Sequence, residues 1–434
     1  MSRNRRDWEQ PDTGAGQARG VRPRAVIALT VLFTYFLMAC QRTAPGLATD
    51  QLMGDLGLSA SAVGLAAGLH FFVYTGLQVP MGLIMDRYGP RFLLIAGTFL
   101  AGGGLVLSGL AVREWMLYGS RLLAGIGDAT IWVGLVLVFG RLYAPGAFAR
   151  LVGLASMTGI GGFLAATVPF AASLEWLGWR TAFLTLGLLL ASCGALLAAV
   201  LPREGRTSGA RRTAGLRPAR LLLNRQAWAL FGCHFGIVGG YIGFLGSWAA
   251  PYGMEAFGLT RLEASRYMLA SLTCALAAAP LIGWLAGKLR RRKAPYLLFH
   301  LAMLSGWSAL ALLHGRLSGE AYLLVMVVLG AAFGSNSLTF TLIRRAFPAP
   351  EAGTATGFAN TGGFLSAVLL PALMGAALDA HAGGPGDLRS GFALGFLVPA
   401  LFSAVGLLFL AAFREHPETS GARPEGDGNG SKHR

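Results

Sequence analysis

The chain has 434 residues, 54% of them hydrophobic and only 13% charged, with a mean hydropathy of +0.57. Soluble proteins carry about 25% charged residues, so neither a compact soluble enzyme nor a disordered chain fits this composition. Lysine and arginine (36) outnumber aspartate and glutamate (20), and the resulting +16 would suggest nucleic acid in a soluble protein.

A membrane-crossing helix needs about 20 mostly apolar residues. Twelve such stretches can be placed, over 23–44, 58–84, 91–112, 115–141, 149–172, 179–201, 226–252, 263–287, 294–313, 320–343, 353–378 and 390–413. The expected architecture is an all-α membrane protein with twelve spans. With the N-terminus cytoplasmic, 28 of the 36 basic residues fall on the cytoplasmic side. Seven fall outside (Arg42, Arg113, Arg180, Arg261, Arg266, Arg316 and Arg389), and Arg121 lies within the fourth span. The positive-inside rule then puts both termini in the cytoplasm, and the expected location is a bacterial inner membrane. The basic arm and linker read as topology and contact with anionic lipid, without a nucleic-acid partner.

Leu37-Met38-Ala39-Cys40 in the first span looks like a lipoprotein cleavage box, but the preceding charged region is too long and eleven more spans follow. All four cysteines fall inside expected spans without metal-ligand spacing, and so read as small packing residues.

The second half repeats the first. Gly82-Leu-Ile-Met-Asp86-Arg87-Tyr-Gly89-Pro-Arg91 is answered 201 positions later by the stretch opening at Gly283. The same offset carries Gly161-Gly162-Phe163-Leu164 onto Gly362-Gly363-Phe364-Leu365. At offset 206, Tyr35 and Ala44-Pro45 fall on Tyr241 and Ala250-Pro251. The expected organisation is an arm over 1–22, a six-helix bundle over 23–201, an Arg-rich linker over 202–225, a second bundle over 226–413, and a disordered tail over 414–434. Parallel repeats of this kind place their substrate site between the halves, near mid-membrane.

Gly82-x3-Asp86-Arg87-x-Gly89-x-Arg91 resembles the loop called motif A in the major facilitator superfamily of secondary transporters. Arg121-x3-Gly125-x-Gly127 resembles that family's second signature, and Gly178-Trp179-Arg180 before the sixth span is also similar. The resemblance covers about residues 23–413. It implies that Gly82, Asp86, Arg87, Gly89 and Arg91 form a conformational latch, with the eleventh span as partner; an ordinary charged turn is the plainer reading. The second-half copy has Gly287 where an acid would stand. The fifth span lacks the Gly-Pro pair of many antiporters, which weighs against drug efflux.

Ionisable groups inside spans are costly and therefore functional candidates. Arg121, Gly125, Asp128 and Trp132 share one face of the fourth span. Asp128 reads equally as a proton carrier or as a structural group held ionised by Arg121, two turns away. Tyr35 and Arg42 share a face of the first span, a pair similar to that of the family's organic-anion and organophosphate symporters, where the arginine binds the anion. The repeat position carries Trp248, which disfavours a doubly charged phosphate and leaves a carboxylate; snorkelling of Arg42 to outer headgroups is the alternative. His70, Tyr74 and Gln78 form a polar stripe on the second span, with His70 also a candidate for the proton. His234, Tyr241 and Trp248 stripe the seventh, and such stripes either pack or bind. Asn336 and Asn360 add neutral hydrogen-bonding capacity beside Gly334 and Gly357.

Motifs for hydrolase, metalloprotease or nucleotide-binding chemistry are missing from the sequence, so neither an enzyme nor an ATP-driven pump is expected. The expectation is a monomeric transporter driven by an ion gradient, without a cofactor, carrying a small organic anion in symport with protons. An exporter of an amphiphilic metabolite or drug, and a transporter-like sensor, are the alternatives.

Overall fold

The computed structural model describes residues 24–202, 221–288, 293–313, 316–381 and 388–415; the arm, most of the linker and most of the tail lie outside them. Every regular element among the described residues is helical. The first half comprises α1 (Arg24–Thr43), a 3-10 turn (Ala44–Leu47), α2 (Thr49–Leu56), α3 (Ala60–Tyr88), α4 (Pro90–Gly109), α5 (Glu114–Leu142), α6 (Pro145–Ala165) and α7 (Val168–Val200). The second comprises α8 (Arg225–His234), a π-helical turn (Phe235–Gly239), α9 (Gly240–Leu245), α10 (Ala249–Phe257), α11 (Arg261–Lys288) and α12 (Lys293–Leu312). It continues with α13 (Gly319–Gly334), α14 (Ser337–Ala346), α15 (Ala349–Ala380), α16 (Leu388–Gly395) and α17 (Leu397–Ala412).

Local chemistry sets the boundaries. The Ser59 hydroxyl accepts from the Ala62 N–H at 3.2 Å to cap α3, and Asn224 accepts from the Gln226 N–H at 2.8 Å to cap α8. Gly89 turns the chain between α3 and α4 at φ 87°, a conformation that a side chain resists. Eleven stretches are long and apolar enough to cross a membrane, and one of them, Met157–Val200, has 44 residues. Gly178 breaks that stretch at φ 71°, so it supplies both the fifth and sixth spans and the count returns to twelve.

The structure departs from the sequence expectation at two places. The expected seventh span, 226–252, is a chain of short pieces, because six glycines between 232 and 246 remove the side chains that hold a long helix straight. α2, which no expected span covered, follows the first span. It ends at Gly57 (φ 63°), and at the repeat offset α10 ends at Gly258 (φ 64°), so the duplication extends to backbone conformation.

Within the first half α4 packs on α5 and α7, α3 on α5, and α1 on α6; in the second, α11 packs on α13, and α12 on α13 and α17. Leu188 on α7, Leu298 on α12, and Leu401 and Leu408 on α17 are exposed, as expected of helices facing lipid.

The halves meet mainly through α3 against α15, with α11 touching α6 and α7. Gly64 on α3 lies so close to the Pro371 carbonyl that a Cβ there would collide with it, and a Cβ at Gly375 would meet the Ala60 carbonyl at 2.5 Å. The same end is tied by polar contacts. Arg261 grips Asp50 with two bonds, 2.8 and 2.7 Å, and also donates to the Leu47 carbonyl. Asp379 accepts from the Ala60 and Ser61 N–H groups at 2.9 and 2.8 Å, capping α3 from the other half. Thr49 donates to the Ser247 carbonyl at 3.0 Å. The described contacts between the halves thus gather at the end away from residues 24 and 415, which they seal.

Candidate functional site

The site begins with close packing. Gly125 of α5 sits against the His70 backbone, where a Cβ would come within 2.7 Å of the His70 carbonyl. That approach, made by the second signature, brings Asp128 one turn further along α5 against the His70 ring. α1 supplies Arg42 in its last turn, and the Cα–Cβ direction leans the side chain back into the bundle.

Arg42 and Asp128 form a bidentate ion pair, Nε to Oδ2 at 2.7 Å and Nη2 to Oδ1 at 2.9 Å. Their side chains are 7% and 0% exposed, so Arg42 does not snorkel, and it leaves the set of outward-facing basic residues. His70 Nε2 lies 3.1 Å from the same Oδ2. The Arg42 guanidinium sits 5.9 Å from the Tyr35 ring and 4.9 Å from the Tyr74 ring. Tyr35 lies beside Arg42 and Tyr74 beside Gln78, and Trp132 packs on Tyr35 at 5.6 Å. Tyr35, Arg42, His70, Tyr74, Gln78, Asp128 and Trp132 thus form one constellation, and the arginine that meets Asp128 is Arg42.

Arg121 stands beside this constellation with different partners. It is 3% exposed, its Nη2 donates to Ser108 Oγ at 3.1 Å, and it lies 5.9 Å from the Phe183 ring.

The second-half candidates do not join the charged group. His234 lies 3.1 Å from Thr339 Oγ1, beside Asn360, and packs on Phe340. Trp248 is fully buried near the sealed end and donates to the Pro371 carbonyl at 3.1 Å. Tyr241 lies 2.8 Å from Ser271 Oγ and stacks on Phe333, and with Asn336 it lines a cavity of about 210 Å3. That cavity is walled mostly by apolar groups, Leu272, Leu276 and Phe333 among them, and closed from the first half by Thr43, Ile160 and Phe163.

Of the expected latch, Gly82 lies where an added Cβ would meet Val133 at 3.8 Å, and Arg91 donates to the Leu201 and Ala198 carbonyls at 3.1 and 2.7 Å. Arg91 thereby caps the last turn of α7. The side chains of Asp86 and Arg87 lie outside the described residues. In the third signature, Trp179 Nε1 donates to Asp55 at 2.7 Å and Arg180 to the Ala111 carbonyl at 2.6 Å.

Sequence reasoning missed Phe364, whose ring lies 4.9 Å from Tyr74. Its repeat partner Phe163 lines the apolar cavity of the opposite half. The repeated Gly-Gly-Phe-Leu was the available signal: it sends one phenylalanine from each half across the central interface.

Known proteins agree with this architecture. The family model described as Major Facilitator Superfamily matches residues 31–371 and 274–433. The multidrug resistance protein MdtH of Shigella dysenteriae serotype 1 is 33% identical over 81 residues, 19% of this chain and 20% of that protein. MdtH of Shigella boydii serotype 4 is 34% identical over 77 residues, 18% and 19%. The chain thus matches about a fifth of the length of these relatives. A bacterial homologue of the human lysosomal transporter Spinster, crystallised inward-facing and unoccupied, shares the fold with a TM-score of 0.70. The two are 19% identical, over 91% of this chain and 98% of that one. The nucleoside transporter NupG has a TM-score of 0.68 at 15% identity, over 89% of this chain and 100% of that one. The chain belongs to the Major Facilitator Superfamily.

Proposed function

We propose that the protein carries a small organic anion in symport with protons, by alternating access across a bacterial inner membrane with both termini cytoplasmic. The observation that carries this reading is the buried bidentate pair of Arg42 and Asp128, touched by His70. A substrate carboxylate that takes the Nε/Nη2 edge of Arg42 displaces Asp128 from it. An ionised carboxylate left without its partner in a buried site costs several kcal/mol. Protonation of Asp128 removes that cost, so anion and proton favour each other's binding, which is the linkage a symporter requires. A cationic solute would instead compete with the proton for Asp128. The apolar cavity beside Tyr241 and Asn336 suits the hydrocarbon part of such an anion.

The same cavity and the partial matches to MdtH support a second reading, export of an amphiphilic compound. Proteoliposomes separate the two. Symport predicts accumulation of a monocarboxylate when the outside is acid, together with proton entry seen by an internal pH dye, both lost in Asp128→Asn. Proton movement surviving that substitution removes Asp128 from the mechanism. Solute leaving as protons enter favours export, and absence of counterflow for any bound solute sinks both.

A further inference from the structure

A second, much smaller cavity, of about 20 Å3, lies between the charged constellation and the sealed end. Pro45, Gly246 and Ser247 of the seal roof it, and Arg42, His70 and Arg121 line it below. Its polar lining is incompletely satisfied. Arg121 Nε, His70 Nδ1 and Ser247 Oγ are buried and have no hydrogen-bond partner. The three residues are 3%, 2% and 2% exposed.

The charges around it do not balance. Arg42 and Arg121 are two cations, and Asp128, bound to Arg42, is the only carboxylate ion-paired to either among the described residues. Among the described residues, Arg121 makes one side-chain hydrogen bond, to a neutral serine. A buried cation without a counter-charge is strongly disfavoured in a membrane protein. About 20 Å3 admits one water-sized body, which is too small for an organic anion.

We propose that this cavity binds a single monatomic monovalent anion of chloride's size, held by Arg121 with Ser247 and His70 as further contacts. The anion completes the charge balance of the sealed conformation and bridges the first half to Ser247 of the second. The inference goes beyond the transported solute and does not rest on the symport reading.

The test is thermal melting of the purified full-length protein in detergent, in chloride, bromide, acetate or gluconate at equal ionic strength. Chloride and bromide should raise the apparent Tm in a saturable way, by about 2 °C or more over gluconate. Arg121→Gln should abolish the difference. Ser247→Ala, which keeps the cation, should raise the chloride concentration at half-effect about tenfold. Equal melting in all four salts overturns the proposal, as does stabilisation by acetate without chloride. A chloride effect that both substitutions leave intact also overturns it, because the anion then binds elsewhere. Transport enters none of these readouts, so failure of the symport reading and failure of this one are distinguishable.

Discussion

The two halves share one repeat and one fold, yet their interiors differ chemically. In the first half Arg42, His70, Arg121 and Asp128 are all buried. In the second, the positions matching Tyr35 and Arg42 are Tyr241 and Trp248, and the interior is an apolar cavity with neutral polar groups at its rim. Trp248 spends its N–H on the Pro371 carbonyl, and it fills by packing the place that a cation fills in the first half. Duplication thus conserved the scaffold while charge stayed in one copy. One half buries an ion pair, and the other lines its cavity with apolar surface.

The sharpest way to break this comparison is to remove charge from the first half. Asp128→Asn leaves Arg42 buried without a counter-ion and should cost about 3–5 kcal/mol of stability. The double variant Arg42→Gln/Asp128→Asn should recover most of that loss in thermal melting. A double variant as unstable as the sum of the two singles would mean the pair is not a coupled unit.

Next in size is the seam between the halves. Gly64→Leu forces a side chain against the Pro371 carbonyl, so the sealed end should open and the facing equilibrium shift about tenfold or more. Labelling of single cysteines placed at the two ends reports the shift, and unchanged labelling would show that the seam is not what holds that end shut.

The second half is probed by filling its cavity. Ala275→Leu adds bulk to a wall residue, and should raise KM about tenfold while leaving the proton-to-solute ratio unchanged. A changed ratio would place coupling in the half that lacks the Arg42–Asp128 pair. The smallest effect is expected at Arg261→Gln. Its pair with Asp50 is tight, but Asp50 is 37% exposed, so its loss should cost below about 1 kcal/mol. A larger penalty in thermal melting would make that ion pair, rather than glycine packing, the main fastening of the sealed end.

Much of this was legible beforehand because membranes make sequence unusually explicit. Span length and the distribution of arginine follow from bilayer thickness and charge cost, and so were readable residue by residue. The first-half stripes converged because Tyr35 with Arg42, His70 with Tyr74 and Gln78, and Asp128 with Trp132 each share a helix face, and helical spacing is a sequence property. Phe364 was not legible, since its ring reaches Tyr74 only through the crossing of α15 over α3. The π-helical turn in the seventh span was likewise hidden, because a glycine-rich stretch does not state which hydrogen-bond register its neighbours impose.

The sequence by itself determined that the chain crosses a membrane twelve times, that it is a duplication, and which few charged residues fall within or beside the spans. These follow from local composition and period. Only the tertiary structure decided that Asp128 pairs with Arg42 across 86 positions, that Arg121 has a serine where a carboxylate would be expected, and that one end is shut. Each of these depends on how closely two helices approach. Glycines permit that approach, but the packing of the whole bundle sets it.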